Sequence, residues 1–359
     1  DHAPKGILTN YADPARPGKL NGLQLVKGKH GQAIRSQADR AFTMDGSRIS
    51  FERYEPFSVS FWIYIPRHFA EAHVLFNGNG RIQGYRGWDI LLEDNRLSFR
   101  INHAHPYQSL HRRTRDSLQT ETWYHFAISY DGSSRAVGMQ LYRDGKPIDS
   151  EVVYDHLYRS TVPLGDRRLS VYMPYTGFRI GNRHYDQDFT DGRIDELQIF
   201  TGALSDLEAA YLARGDAALT EVQQISNTES ATLAAGFFHN NQNLEVQQLR
   251  KHLQKLQRRD LETIDTVREI MVMEDLAKPR ATYLLDRGVY DKPRQQVFPA
   301  TPTTILPFAD TLPKNRYGLG QWLVHPTHPL TARVAVNQFW QLIYGKGIVG
   351  TTEDFGSQG

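Results

Sequence analysis

Residues 84–115 contain many side chains that could bind a ligand. The candidates in this segment are Tyr85, Trp88, His103, His105, Tyr107, Arg112 and Arg113. Aromatic rings stack on the apolar faces of sugars, and His and Arg side chains donate hydrogen bonds to hydroxyl or sulfate groups. The alternative is that Trp88 belongs to a hydrophobic core and that the arginines form a solvated face. For the cluster as a whole, we predict a surface that binds carbohydrate or a neighbouring domain.

Two metal sites are conceivable. Calcium needs several oxygen ligands, and Asp186, Asp188, Asp191 and the loop of Asn77 and Asn79 could supply them, although turn-forming Asp and Asn residues explain these stretches equally well. His103 and His105 share one strand face, but zinc needs a third ligand and the sequence indicates none. Calcium is therefore the candidate cofactor.

A glycosidase would need two carboxylates on one face of a strand. The nearest match is Asp195-Glu196. Adjacent strand residues point to opposite faces, so this pair cannot flank one glycosidic bond. We expect one of the two to hydrogen-bond a neighbouring loop.

A second polar group lies near the end of the chain. Arg333, Asn337, Trp340 and Tyr344 recur at helical spacing beside the apolar stripe Ala332, Val336, Phe339 and Ile343. A buried Arg needs partners, and Glu353 and Asp354 are the obvious ones. We predict a polar network of Arg333, Asn337, Trp340, Glu353 and Asp354, with a ligand-facing wall as the alternative.

Composition excludes several classes of function. The 359 residues carry a formal net charge of +2 and no long Lys/Arg run, so nucleic acid is not an expected partner. There is no cysteine, which excludes disulfides, thiolate metal sites and a covalently attached haem within this chain. No stretch is apolar for long enough to predict a membrane span.

Hydrophobic periodicity predicts the elements that position these residues. From residue 40 to about 205, short runs such as "FSVSFWIYI" and "RLSFRIN" alternate apolar and polar residues. Turns are predicted at Asn77-Gly78, Asn79-Gly80, Asp131-Gly132, Asp144-Gly145 and Asp191-Gly192. This pattern is typical of an antiparallel β-sandwich of the jelly-roll class.

The chain then becomes helical. Ser205 and Glu208 form a capping-box pattern, and a helical hairpin is predicted with residues 236–243 in or near its turn. Residues 276–315 are rich in Pro and predict extended chain, and the last 45 residues predict helices again. The fold class is mostly β with α. Its domains are a sandwich over 1–212, a helical linker or hairpin over 213–275, and part of a mainly α domain over 276–359.

Several motifs resemble the laminin-G-like, concanavalin A-like jelly roll. They are "FSVSFWIYI", "TWYHFAISYDGSSRAVGMQLYRDGKPI" and "GRIDELQIF", within about 20–212. The turn that is typically Trp-His-His-like is altered here to Trp123-Tyr124-His125. The resemblance implies a sandwich that binds glycans or proteins, sometimes with calcium.

A second resemblance covers about 270–359. "NRYGLGQWL", "HPLTARVAVNQFW" and "EDFGSQG" follow Pro279-Arg280 in the order typical of domain-of-unknown-function family 1553. This family occurs in planctomycete-type multidomain proteins that are usually exported and often contain a cytochrome c-like domain. The resemblance implies that the chain is a fragment of an exported protein, located in the periplasm, at the cell surface or outside the cell.

The leading prediction is non-catalytic recognition of a complex polysaccharide by the sandwich, with sulfated algal glycans as the candidate class. The other predicted partners are neighbouring domains of the same longer protein. Two alternatives remain open. The full protein could be a cytochrome-linked enzyme that processes polysaccharides with a catalytic part outside this chain, or the sandwich could be a structural scaffold.

Overall fold

The computed structural model describes residues 6–163, 177–183, 187–224, 227–268, 270, 272–273, 276 and 280–356. Two compact units are present, Asp1–Arg268 and Glu269–Gly359. Asp186 and Pro279, which were considered above, lie outside the described residues.

The first unit is built mainly from strands. In chain order they are β1 (Ile7–Leu8), β2 (Gly18–Lys19), β3 (Gln24–Lys27), β4 (Gln32–Arg35), β5 (Phe42–Met44), β6 (Phe57–Ile65), β7 (Glu71–Gly78), β8 (Gly87–Glu93), β9 (Arg96–Ala104), β10 (Gln108–Thr114), β11 (Thr122–Tyr130), β12 (Met139–Arg143), β13 (Lys146–Pro147), β14 (Ser150–His156), β15 (Phe178–Ile180) and β16 (Arg193–Phe200).

These strands form two antiparallel sheets. Sheet A has the order β1-β2-β5-β15-β7-β8-β9-β10-β14, and sheet B has the order β13-β12-β11-β6-β16-β4-β3. Half of the neighbouring strand pairs in each sheet are not consecutive in sequence, as expected for a jelly roll. The predicted antiparallel sandwich is confirmed.

The core lies between the sheets because alternate side chains of each long strand point inward. Phe57, Phe61, Phe99 and Phe126 are almost fully buried there. Burying each such ring contributes roughly 1.5–3 kcal/mol to folding. Trp88 is 2% exposed, and its indole Nε1 donates to the Ile49 carbonyl at 2.7 Å.

Some of the turns that the sequence predicts are present in the structure. Asp144-Gly145 joins β12 to β13, and Asp191-Gly192 precedes β16. The predicted turn at Asn77-Gly78 is wrong, because both residues belong to β7. Asn77 is buried and its amide donates to the Ile49 carbonyl at 2.9 Å, so tertiary contacts override the local turn preference.

Four helices follow the sandwich: α1 (Asp206–Arg214), α2 (Asp216–Gln224), α3 (Asn227–Asn241) and α4 (Leu244–Ile264). The predicted capping box of Ser205 and Glu208 is confirmed. The link between α3 and α4 is short, as the hairpin prediction requires. Helix α4 is attached to the sandwich because Arg53, which is buried, donates to Asp260 Oδ2 at 2.7 Å.

The second unit contains a two-stranded sheet and two helices. Its elements are β17 (Thr282–Leu285), β18 (Pro293–Val297), α5 (Arg316–Leu323) and α6 (Thr331–Tyr344). Helix α6 starts at Thr331 and is followed by Gly345, whose φ of 80° suits a helix C-terminus. Within the described residues, no helix combines the length and the apolar character that crossing a membrane requires.

Candidate functional site

The outer face of sheet A carries a band of polar side chains. We call this band the polar face and define it by His73, Asp89, Glu93, Arg100, Asn102 and His111. Their strand neighbours, such as Trp88 and Ile101, point into the core, so alternation places the polar set on the opposite side. Five of the six are nearly excluded from solvent, and buried polar groups require partners.

Asp89 and Arg100 form the centre of the polar face. The guanidinium donates to both carboxylate oxygens, at 2.9 and 2.5 Å. His73 Nδ1 lies 3.6 Å from the same carboxylate. Burial would raise the pKa of Asp89, but the charge of Arg100 outweighs it and holds the pKa well below its usual range. Asp89 is therefore an anion and not a proton donor.

Glu93 is the second carboxylate of the polar face. It accepts a hydrogen bond from Ser98 Oγ at 2.5 Å and lies 3.3 Å from His111 Nε2. Burial alone would raise the pKa of Glu93, but hydrogen bonds from His111 and Ser98 outweigh burial and lower it to about 2.

An edge cluster lies where the polar face meets β14. It consists of Asn102, His105, Ser109, His111 and Tyr154. Ser109 Oγ donates to Asn102 Oδ1 at 2.9 Å and lies 3.3 Å from His105 Nδ1. The Tyr154 ring centroid is 5.7 Å from that of His105 and 5.9 Å from that of His111. Burial lowers the pKa of His105 to about 4, so this imidazole is neutral at physiological pH.

Two residues of the edge cluster carry buried polar atoms that lack a hydrogen-bond partner among the described residues. Asn102 Nδ2 and His111 Nδ1 are buried, and no described residue accepts from or donates to them. Tyr154 beside them is 40% exposed. Native structures seldom leave such atoms unsatisfied, so a bonding partner from outside the described residues is expected here.

The aromatic residues predicted from the sequence are separated by the fold. Trp88 is part of the core, so the alternative interpretation holds for this residue. Tyr85 has a left-handed φ of 57°, and the Arg183 guanidinium lies 3.9 Å above its ring. Tyr107 is 82% exposed at the start of β10.

The predicted histidines enter different environments. His103 Nδ1 lies 2.7 Å from the Ser160 carbonyl and its Nε2 lies 3.2 Å from Arg86, whereas His105 belongs to the edge cluster. The strand ends at Ala104, so the rule that residues two apart share a face does not extend to His105.

Both predicted arginines are engaged within the sandwich. Arg112 donates to Ser150 Oγ at 2.7 Å and to the Met139 carbonyl. Arg113 donates to Glu151 at 2.7 Å. Because both side chains already have hydrogen-bond partners within the sandwich, neither is available as an isolated cation for a sulfate group. This corrects the expectation that these arginines bind an anionic glycan.

One relationship was missed in the sequence. Glu71 of β7 lies directly opposite Glu93 of β8, so both side chains belong to the outer face of sheet A. Burial raises the pKa of Glu71, while that of Glu93 is lowered. In the sequence, each of these glutamates is a charged residue at one end of an alternating apolar-polar run. Only the register of β7 with β8 brings the two side chains together.

Asp188 and Asp191 are not brought into one ligand set. Arg35 donates to Asp191 Oδ1 at 2.5 Å, and Asp188 Oδ2 accepts from the Asp39 amide at 3.2 Å. In the part of the chain that the structure describes, no three His, Asp or Glu side chains are grouped to hold a metal ion. Calcium binding stays a prediction.

The predicted network on α6 is only partly formed. Asn337 is buried, and its amide bonds reciprocally with the Val349 backbone at 3.1 and 2.7 Å. Trp340 packs against Tyr344 with 4.5 Å between ring centroids. Arg333 is exposed, and no ion pair joins it to Glu353 or Asp354 in the described part of the unit. The expectation of a buried Arg333 is therefore corrected.

Asp195 hydrogen-bonds a neighbouring loop, as the sequence predicts for one residue of the Asp195-Glu196 pair. Its carboxylate accepts from the His30 amide, in the turn between β3 and β4, at 2.9 Å. It also accepts from the Glu196 amide at 2.9 Å. Asp195 thus supports a loop, and the pair does not form a catalytic dyad.

Two protein-family models match parts of the chain. Residues 41–210 match the family described as the concanavalin A-like lectin/glucanases superfamily. The sandwich has the concanavalin A-like fold. Residues 315–359 match a protein family of unknown function, DUF1553. Both resemblances seen in the sequence are confirmed. No curated protein matches the chain.

Three solved structures illustrate what the chain is similar to. The binding domain of Paraclostridial Mosquitocidal Protein 1 is 20% identical with a TM-score of 0.41, over 57% of this chain and 48% of that one. Domain 4 of AbnA, a GH43 extracellular arabinanase from Geobacillus stearothermophilus in complex with arabinotriose, is 20% identical with a TM-score of 0.40, over 55% and 88%. The botulinum neurotoxin serotype D binding domain is 18% identical with a TM-score of 0.40, over 56% and 46%. The chain spans about half the length of the first of these.

Proposed function

We propose that the concanavalin A-like sandwich binds carbohydrate without cleaving it, and that the edge cluster is the binding site. The observation that carries this proposal is the pair of buried, unpartnered atoms Asn102 Nδ2 and His111 Nδ1 beside the exposed ring of Tyr154. The family match to lectins and glucanases is consistent with a glycan ligand.

The edge cluster has the chemistry that sugars require. Tyr154 offers an aromatic surface for the C–H face of a pyranose ring. Asn102 can donate to a hydroxyl oxygen, and His111 Nδ1 can donate to or accept from a hydroxyl group, depending on the tautomer of the imidazole.

The ligand that fits best is an uncharged glycan. The cations nearest the edge cluster already have carboxylate partners, because Arg100 pairs with Asp89 and Arg113 with Glu151. A sulfate group would have to compete with these pairs. A sulfated polysaccharide is therefore less favoured than it was from the sequence.

The protonation state of Asp89 and Glu93 supports binding without cleavage. A glycosidase uses one protonated carboxyl group as a general acid and a second group as a base or nucleophile. Asp89 and Glu93 both have lowered pKa values and are both bonded to donors. Neither can serve as the acid near neutral pH.

A second candidate function is glycan cleavage by Glu71 and Glu93. Their cross-strand position and opposite pKa shifts are the observation that favours it, because such pairs supply acid and base roles in enzymes. The hydrogen bond from Ser98 and the nearby guanidinium of Arg113 argue against it, since they occupy the carboxylate of Glu93.

A polysaccharide panel tests the proposal and separates it from the alternatives. The purified chain should bind at least one neutral polysaccharide saturably and release no new reducing ends. Release that is lost in both Glu71→Gln and Glu93→Gln would establish the cleavage reading. Absence of binding to every glycan would favour a structural scaffold.

The larger context belongs to the same proposal. We place the sandwich in an exported protein together with further domains, which could include a cytochrome-linked part that processes the bound polysaccharide. Locating the full-length protein in fractionated cells tests export directly, and a cytoplasmic location would contradict it.

A further inference from the structure

A cavity of about 360 Å³ lies on the outer face of sheet B, which the proposed carbohydrate site does not use. It is lined by His30, Ser60, Trp62, His125, Glu196 and Gln198. This volume falls in the lower part of the range for small-molecule sites.

Strand register gathers these residues. Ser60 and Trp62 are two apart on β6, so they share the outer face. His125 of β11 lies opposite Trp62, and Gln198 of β16 lies opposite Ser60. A register shift between Asp195 and Gln198 forms a bulge, which changes the direction of the intervening side chains.

The bulge places Glu196 in an uncommon conformation. Its φ is 48°, a left-handed value that non-glycine residues seldom adopt. The neighbouring Asp195 fixes the turn that carries His30 through the His30 amide. A Cβ atom at Gly28 would come within 2.3 Å of Asp195 Oδ2, so this turn is closely packed against Asp195.

Trp62 is half-buried on the outer face and therefore differs from the core residue Trp88. Its ring has edge contacts with His30 and His125, at centroid distances of 5.5 and 5.3 Å. The Lys29 ammonium lies 4.9 Å from the ring centroid. An aromatic ring held between polar side chains is typical of sites that bind amphipathic rings.

His125 has an unsatisfied hydrogen-bonding atom. The residue is 1% exposed, and its Nε2 lies 2.9 Å from Ser60 Oγ. Its Nδ1 has no partner among the described residues. Burial lowers the pKa of His125 to about 4, so the imidazole is neutral and Nδ1 can either donate or accept, depending on the tautomer.

We propose that this cavity is a second ligand site, which takes one uncharged hydroxylated ring such as a single sugar residue. Hydroxyl groups can both donate and accept, which suits His125 Nδ1, Gln198 and the Glu196 carboxylate. The Lys29 ammonium beside Trp62 disfavours an organic cation, and Glu196 disfavours an anion. The site is independent of the edge cluster, because it lies on the other sheet and shares no residue with it.

Saturation-transfer NMR with neutral methyl monosaccharides tests this inference on the full chain. The probes are the methyl glycosides of glucose, galactose, mannose and arabinose, with glucosamine and glucuronate as charged comparisons. At least one neutral glycoside should bind with a Kd that rises tenfold or more in Trp62→Ala. Glu196→Gln changes an exposed residue at the rim of the cavity and should raise the Kd several-fold. This second variant keeps the test valid if Trp62→Ala fails to fold.

Two variants serve as controls. Trp123→Ala removes a half-buried tryptophan of the same sheet face that does not line the cavity, and Tyr154→Ala disables the edge cluster. Both should leave monosaccharide binding unchanged. The inference is overturned if no neutral glycoside binds, if Glu196→Gln binds like the wild type, if binding depends on Tyr154, or if glucosamine or glucuronate binds more tightly than every neutral probe.

Discussion

Arg100 and Asp89 form a two-point ion pair across β8 and β9, at 2.9 and 2.5 Å, with both side chains nearly excluded from solvent. A buried pair of this kind adds little over an apolar pair of equal volume, but the loss of one partner leaves the other charge uncompensated. The pair therefore orders the polar face more than it stabilises the fold.

Arg100→Met should lower the free energy of unfolding by about 3–5 kcal/mol, because Asp89 then stays buried without its cation. Urea unfolding followed by circular dichroism measures this change. The double variant Asp89→Leu with Arg100→Met is the control and should be more stable than Arg100→Met alone. If Arg100→Met has the same free energy of unfolding as the wild type, Arg100 is not needed to compensate the buried charge of Asp89.

Stability should fall as the pH drops from about 6.5 to 4. His105 and His125 have folded-state pKa values of about 4, against about 6.5 in an unfolded chain. In this window the unfolded chain binds protons that the folded chain excludes, so the stabilisation is complete above pH 6.5 and decreases below it. Glu93 has a pKa of about 2 in the folded chain, against an ordinary value of 4.5, so the loss of stability continues as the pH falls below 4.5.

Urea midpoints at pH 8, 6 and 4 measure this dependence. His125→Asn removes one of the histidines whose pKa burial lowers and should therefore flatten the decline between pH 6.5 and 4. A midpoint that is constant across this range would show that the histidines are not held neutral by the fold.

Trp88→Ala should destabilise the sandwich by about 3–5 kcal/mol without changing glycan affinity per folded molecule. The reason is that Trp88 packs against Phe57 in the core and does not face the edge cluster. Thermal unfolding and titration below the melting temperature separate the two effects. A loss of affinity with little change in melting temperature would restore Trp88 as a binding residue.

Calcium binding by Asp188 and Asp191 is tested by melting the chain with calcium and again with a chelator. A bound ion stabilises the folded state by mass action, so a calcium site requires a lower melting temperature after chelation. Asp191→Asn should then abolish the difference. Equal melting temperatures in calcium and in chelator would end the calcium proposal.

The sandwich could be predicted from sequence because alternation of residues such as Phe57, Val59 and Phe61 is a local signal. The capping box at Ser205 and Glu208 could be predicted for the same reason, because its two residues are close together in the sequence. Asn77-Gly78 shows the limit of local signals, since the same dipeptide that favours a turn is here part of a strand.

The candidate site could be predicted only in part. His105 and Tyr107 were found because they are aromatic or polar residues near a strand end. Tyr154 and Asn102 were missed because they approach these residues only through the register of β10 with β9 and β14. Register depends on contacts between distant segments, and a single sequence does not display it.

The most direct test of the central claim is calorimetric titration of a neutral glycan identified by the panel into Tyr154→Ala. Loss of the exposed ring should weaken binding about tenfold while leaving stability within about 0.5 kcal/mol of the wild type. Tyr11→Ala is the matched control, because Tyr11 is equally aromatic, 88% exposed, and follows β1 at the opposite edge of sheet A. Wild-type affinity in Tyr154→Ala, or an equal loss in Tyr11→Ala, would contradict carbohydrate recognition at the edge cluster.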